Sequence, residues 1–302
     1  MDLRQLAALI AVADHRSFSA AARALHTVQS NVSTHVARLE RELGVTLVDR
    51  ASGTLTEEGK AVVGRARRIH AELDALVADV ASVNSEVSGT VRIGVIGTTA
   101  RWLVPPLLEA MSDRYPRVHV VLVDATTTSL LPQVHAGLLD LAVVALPVND
   151  PDIESERLFD EDLMVIAPEA HPLAANERVD LSELAQYDLL LEPTGTAFRD
   201  DIDRQAKSAG VELRPRAEVD GMRLLASLAF EGFGAAILPA SAAPRWIAGG
   251  WKLVMVDGLT GRSVGLARRR RGLPSAPARA ITEVIRAVVT EEATQQMGIH
   301  PG

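Results

Sequence analysis

Gln29, Ser30, Ser33 and Thr34 are short polar side chains on one side of a stretch whose other side is apolar. Val32, Val36, Leu39 and Leu43 recur there at steps of four, three and four. The chemistry open to such a face is hydrogen bonding to planar edges, and glutamine can grip adenine through two bonds at once. Arg38 and Arg50 add positive charge to this part of the chain. A second set of hydroxyls, Thr98-Thr99, Thr126-Thr127-Thr128 and Thr194-Gly195-Thr196, falls where short apolar runs give way to helical spacing. Hydroxyls beside free helix N–H groups suit a carboxylate or a similar anion, although the same residues are also ordinary helix caps. Bond-making chemistry finds no support. The chain has no cysteine, no Gly-x-Ser-x-Gly elbow, no phosphate loop and no zinc-type histidine pair, so no enzyme activity and no cofactor or metal is expected.

The positioning elements follow from periodicity. Leu3, Leu6, Leu9, Ile10 and Ala13 predict a helix over 3–13. Ser17 or Ser19 caps a second, alanine-rich helix with Phe18, Ala21, Ala22 and Leu25 inward, and His26-Thr27-Val28 turns the chain into a third helix that Gly44 stops. Two short helices and a tight turn present the third in the way that places a helix in the major groove of DNA. After Glu58, Val62, Ala66, Ile69, Leu73, Leu76, Val80, Val83 and Val87 keep steps of four and three. That unbroken 3.5-residue seam predicts a coiled-coil helix joining two copies, and thirty residues of it would reach about 45 Å.

Beyond residue 90, short β-branched runs alternate with helices. Strands are expected at 91–96, 118–123, 141–146, 163–167, 189–191, 235–238 and 263–267. Two crossings between the halves make a two-lobed α/β architecture, with a ligand cleft at the carboxyl ends of strands. Arg101 and Arg199 are candidate recognition cations there. The run Arg268–Arg271 reads as a solvated edge, and Trp102, Trp246 and Trp251 as packing residues.

Asp2-Leu3-Arg4-Gln5-Leu6, Ser17-Phe18-Ser19-Ala20-Ala21-Ala22, Leu25-His26, Gln29, Ser33, Leu39-Glu40, Glu42 to Arg50 and Leu55-Thr56-Glu57-Glu58-Gly59 together resemble the LysR-type transcriptional regulators. The resemblance implies a multidomain protein: an all-α winged helix-turn-helix, a long dimerisation helix, then an α/β two-lobed periplasmic-binding-protein-like effector domain. It implies that Gln29, Ser30 and Ser33 contact DNA and that Arg50 grips phosphate near the wing. The chain departs from the pattern at Val28, where the family usually has a capping serine, with Thr27 expected to cap one residue early. It departs also at Ser30 and Thr34, and in a short wing between Arg50 and Leu55.

The expected division is a DNA-binding domain at 1–58, a coiled-coil helix at 59–88 and an effector domain at 89–302. Lobe I takes about 89–161 and 265–292, and lobe II about 162–264. The expected DNA-binding set is Gln29, Ser30, Ser33, Thr34, Arg38 and Arg50. The effector set is Thr98, Thr99, Thr126, Thr127 and Thr196, and the dimerisation set is Val62, Ile69, Leu73, Leu76, Val80 and Val83. Expected partners are double-stranded promoter DNA, a small effector of the anionic kind that the hydroxyl clusters suit, and further copies of the chain as dimer or tetramer. The chain of 302 residues is 47% hydrophobic and 23% charged, without a membrane-spanning run or an export signal, which fits a cytoplasmic protein. Its net charge of −8 hides an asymmetry: residues 1–70 hold ten basic and seven acidic side chains, an excess of +3, which leaves −11 to the rest. The competing reading is a small-molecule receptor of the solute-binding type with no DNA role.

Overall fold

Asp2 opens the first helix, α1 (Leu3–His15), by a reciprocal cap. Its Oδ1 accepts the Gln5 amide at 2.9 Å, while Gln5 Oε1 accepts the Asp2 amide at 3.0 Å. Ser17, not Ser19, caps α2 (Phe18–Ala24). In the turn that follows, His26 takes a left-handed φ of 51°. Helix α3 (Gln29–Leu43) buries Val32, Val36 and Leu39 against Leu6, Leu9, Val12 and Ala21. A two-residue hairpin, β1 (Val48–Asp49) and β2 (Thr54–Leu55), forms the wing and leads into α4 (Glu57–Asn84). The computed structural model describes residues 1–84 and 86–302, with the backbone alone for 81–84.

Lobe I begins with β3 (Gly89–Val95), α5 (Gly97–Arg114), β4 (Val118–Asp124), α6 (Thr127–Ala136), β5 (Leu141–Ala145) and β6 (Ile153–Glu161). Lobe II holds β7 (Leu163–Pro168), β8 (Arg178–Asp180), α7 (Leu181–Leu184), β9 (Asp188–Leu191), α8 (Ala197–Ser208), β10 (Arg214–Glu218), α9 (Met222–Phe230), β11 (Ala236–Pro239) and β12 (Trp251–Asp257). The chain then returns to lobe I with β13 (Arg262–Arg269), α10 (Ala276–Ala293) and β14 (Ile299–Pro301). The return strand thus starts at Arg262, one residue ahead of the expected 263, and β14 adds an edge beyond the expected end of lobe I at 292.

Each lobe is a six-stranded mixed sheet, in the orders β14-β6-β13-β5-β3-β4 and β10-β9-β11-β7-β12-β8. β3 runs parallel to both β4 and β5, and β9 parallel to β10 and β11. Their carboxyl ends open toward the space between lobes, where parallel sheets commonly hold ligands. Ile93, Val95, Trp102, Leu107, Phe159 and Ile285 pack the first core, and Val165, Leu189, Leu191, Ile202 and Ile237 the second. The crossing strands touch backbone to backbone: a Cβ on Gly261 would sit 2.1 Å from the Glu161 carbonyl oxygen. Only glycine fits there.

Candidate nucleic-acid interface and effector cleft

Helix α3 turns Gln29, Ser30, Thr34 and Arg38 to solvent, with Ser33 half-buried beside them. Gln29 Oε1 accepts from Ser19 Oγ at 2.6 Å, which orients the side chain most able to read a base. Arg50 lies across the same face. Its Nη1 donates to Ser33 Oγ at 2.9 Å, its Nη2 to Glu40 Oε2 at 3.1 Å, and its guanidinium stands 5.4 Å over the Phe18 ring. Glu40 in turn accepts the buried Leu47 and Val48 amides at 2.9 and 3.2 Å. One carboxylate therefore ties the wing to the third helix. Thr27 does not cap α3; its hydroxyl accepts from Asn31 Nδ2 at 3.0 Å, and Val28 precedes the helix without a side-chain cap. No side chain therefore caps the first amides of α3, of which Asn31 N donates to Val28 O at 3.1 Å. Asn31, exposed on the same end, was absent from the sequence-derived set.

The α4 seam divides. Val62, Val63 and Ala66 pack into the DNA-binding core, whereas Ile69, Leu73, Leu76 and Val80 are exposed, Leu76 and Val80 at 60% each. The Val83 side chain lies outside the described residues. Farther along α4, Asp79 reaches lobe I. Its Oδ1 accepts the Ala276 amide at 2.9 Å and Arg279 Nη2 at 3.1 Å, at the start of α10.

In the cleft the hydroxyls separate into different roles. Thr98 and Thr99 are buried in the first turn of α5. Thr98 Oγ1 accepts Arg262 Nη2 at 2.7 Å, while Thr99 Oγ1 has no partner among the described residues. Thr127 Oγ1 accepts the Ala145 amide at 3.1 Å, and exposed Thr126 pairs with Thr128 and Ser129 in the first turn of α6. Thr196 caps α8 and donates to Pro193 O at 3.0 Å. Arg101 reaches across to Ser227 and over the Phe230 ring; burial, then the Arg223 charge, lowers its pKa. Arg199 is buried and committed to Asp203, Glu218 and the Glu192 carbonyl. Arg268, Arg269 and Arg270 bind Glu154 and nearby carbonyls of lobe I. Trp102 packs edge-on against Phe159 at 5.1 Å, and Trp251 against Phe230 at 4.7 Å.

Five charged residues that sequence reasoning missed line the cleft. Glu161 is fully buried and pairs with Arg262, which is 18% exposed, at 2.8 Å. The other Glu161 oxygen accepts the Ser241 amide at 2.9 Å. Glu192, only 8% exposed, follows β9. Burial pushes its carboxyl up; Thr196 and the Gly221 amide pull down, Asp220 adds to the rise, and Arg262 lowers it slightly. Asp124 and Arg223 form an ion pair between the lobes. No periodicity flags a charge inside a strand, so none of these was legible before the lobes were assembled. His135, Asp150 and Asp152 also bring their ligand atoms together at the edge of lobe I, a grouping their spacing did not suggest.

A winged helix-turn-helix joined by a long helix to a two-lobed cleft defines a ligand-responsive, DNA-binding transcriptional regulator. Residues 3–60 match the family described as "Bacterial regulatory helix-turn-helix protein, lysR family", and residues 84–290 the "LysR substrate binding domain". The chain belongs to the LysR family of transcriptional regulators. It is 35% identical over 275 residues to a Streptomyces viridosporus protein named "Probable hydrogen peroxide-inducible genes activator", covering 88% of each chain. It is 31% identical to the DNA-binding transcriptional dual regulator OxyR of Escherichia coli K12, covering 81% of each. Among solved structures it resembles full-length CbnR bound to its target DNA, with a TM-score of 0.68, 27% identity and coverage of 97% and 100%. A cysteine-substituted full-length OxyR of Pseudomonas aeruginosa shares the fold at a TM-score of 0.77 and 24% identity, covering 99% and 97%. The reading as a receptor without a DNA role is therefore set aside. No described helix is long and apolar enough to cross a membrane.

Proposed function

We propose that Gln29, Ser30, Ser33 and Thr34 read promoter DNA in the major groove, with Arg38 and Arg50 holding phosphate, and that copies pair through Ile69, Leu73, Leu76 and Val80. The observation that carries the DNA reading is the solvent-open end of α3: polar side chains, uncapped amides and a braced arginine all occur on one exposed surface. Phosphate favours helix N-termini and guanidinium groups, and a polar helix face supplies base contacts. Pairing is supported by the exposed stripe on α4, since a soluble chain rarely leaves contiguous leucine and valine uncovered.

The effector acts by non-covalent binding in the cleft. Several relatives are named for hydrogen peroxide, but this chain contains no cysteine. It therefore has no thiolate to oxidise and cannot form a disulfide. The regulating signal must instead bind two arrangements of the lobes with different affinity.

The test is a gel shift with the protein's own upstream DNA against an unrelated duplex. Gln29→Ala and Ser33→Ala are expected to lose the preference for upstream DNA while keeping weak general binding. Undiminished preference in both variants would remove α3 as the reader.

A further inference from the structure

Resting on the reading of the cleft as the effector site, its two walls offer a ligand different partners. On the lobe I side, α5 is an 18-residue helix whose first turn holds Thr98 and Thr99, both buried. Arg262 donates to Thr98, so a guanidinium, a helix start and two hydroxyls converge. Two buried hydroxyls of this region, Thr99 Oγ1 and Ser241 Oγ, have no hydrogen-bond partner among the described residues. Buried polar atoms without a partner in the protein are expected to find one in a water or a ligand.

On the lobe II side stands Glu192, more than nine-tenths buried and in no ion pair among the described residues. Its neighbours are the Thr196 hydroxyl, the Gly221 amide, a second acid, Asp220, and, acting more weakly, the Arg262 guanidinium that Glu161 already holds. A carboxylate withdrawn from water with no ion-pair contact of its own is costly, and a cation supplied from outside would relieve it. Other charges near the cleft are paired, Asp124 with Arg223, Glu161 with Arg262, and Arg199 with Asp203 and Glu218, while Arg101 meets Ser227 and the Phe230 ring. A plain anion would gain the α5 start and its hydroxyls but face Glu192 and Asp220. A plain amine would gain Glu192 and leave the α5 hydroxyls open.

We propose that the cleft takes a small zwitterion, an amino-carboxylate, with its carboxylate beside Thr98, Thr99 and Arg262 and its ammonium on Glu192 and Asp220. Such a ligand touches both lobes with opposite charges, so it favours the arrangement in which they approach. That differential is what couples occupancy to the DNA-binding end.

The experiment is thermal unfolding of the full chain with each proteinogenic L-amino acid, its deaminated carboxylic acid and its decarboxylated amine. At least one amino acid should raise the Tm while neither of its matched analogues does. Its affinity should fall roughly tenfold or more in Glu192→Gln and in Thr98→Val, each removing a partner of a charged ligand group. Circular dichroism of both variants checks the fold. A carboxylic acid that binds as well as its amino acid, with loss in Thr98→Val alone, overturns the zwitterion and leaves the cleft as the site. An amino acid whose binding survives both substitutions overturns the cleft reading as well. No shift with any amino acid also overturns the proposal.

Discussion

Glu40 satisfies two buried amides with one oxygen and the Arg50 guanidinium with the other. Replacing it with alanine leaves the Leu47 and Val48 amides unpaired, at a cost of about 1–3 kcal/mol in stability. Because Arg50 also loses its brace, Glu40→Ala should weaken promoter affinity although Glu40 itself repels DNA; titration by fluorescence anisotropy measures this. Glu192 works in the other direction. Its carboxyl is raised by burial above the ordinary glutamate value of 4.5. The folded state therefore binds more protons than the unfolded state above that value, and this contribution to stability falls as pH rises. Glu192→Gln should raise the Tm at neutral pH, and the gain should vanish on acidification below the ordinary value. A Tm difference that does not change with pH would show that Glu192 is solvated. A binding site that holds an uncompensated charge trades stability for recognition in this way.

At the scale of elements, the joint between α4 and α10 is where the two halves of the chain are tied. Ser275 caps α10 from within, and Asp79 adds a second acceptor from the linker helix at Ala276. Negative charge at a helix start is favourable, and loss of such a cap costs about 1 kcal/mol. Asp79→Ala should lower the Tm modestly. It should also raise hydrogen exchange at the start of α10 more than in the lobe cores, because the linker no longer holds that turn. The start of α4 is built more tightly. Thr56 Oγ1 accepts the Gly59 amide at 3.0 Å and donates to Thr46 O at 2.8 Å. A Cβ on Gly59 would lie 2.0 Å from the Leu47 carbonyl oxygen. The Thr-Glu-Glu-Gly string thus has a mechanical reason: the wing and the linker helix meet where no side chain fits.

For the whole molecule, the exposed apolar stripe of α4 is the surface proposed to meet another copy. Leu76→Asp combined with Val80→Asp should shift the sedimentation coefficient to that of the monomer. Affinity for a two-half-site promoter should then fall far more than affinity for a single half-site, since paired readers bind adjacent turns as a unit. The charge layout suits this arrangement. The DNA-binding end carries a small positive excess and the effector end a larger negative one, so the acidic lobes are repelled from the duplex that the readers approach.

Helices α1 to α4, the Gly44 stop and the two-lobed α/β plan were legible from the chain alone, because apolar spacing reports which side of a helix or strand is buried. So were Gln29, Ser30, Thr34 and Arg38 as an exposed polar face. Strands β6, β8, β10, β12 and β14 were not. β10, Arg-Pro-Arg-Ala-Glu, is exposed throughout, and β6 carries Glu-Ser-Glu-Arg in its middle, so neither shows the apolar alternation that marks a strand. Their place is set by pairing to neighbours already in the sheet. The cleft belongs to the same category. Glu161 and Arg262 are about a hundred residues apart, and they become a buried pair only because the chain crosses between the lobes twice. Local spacing determines which faces are apolar. Only the assembled backbone decides which distant charges share a space without water.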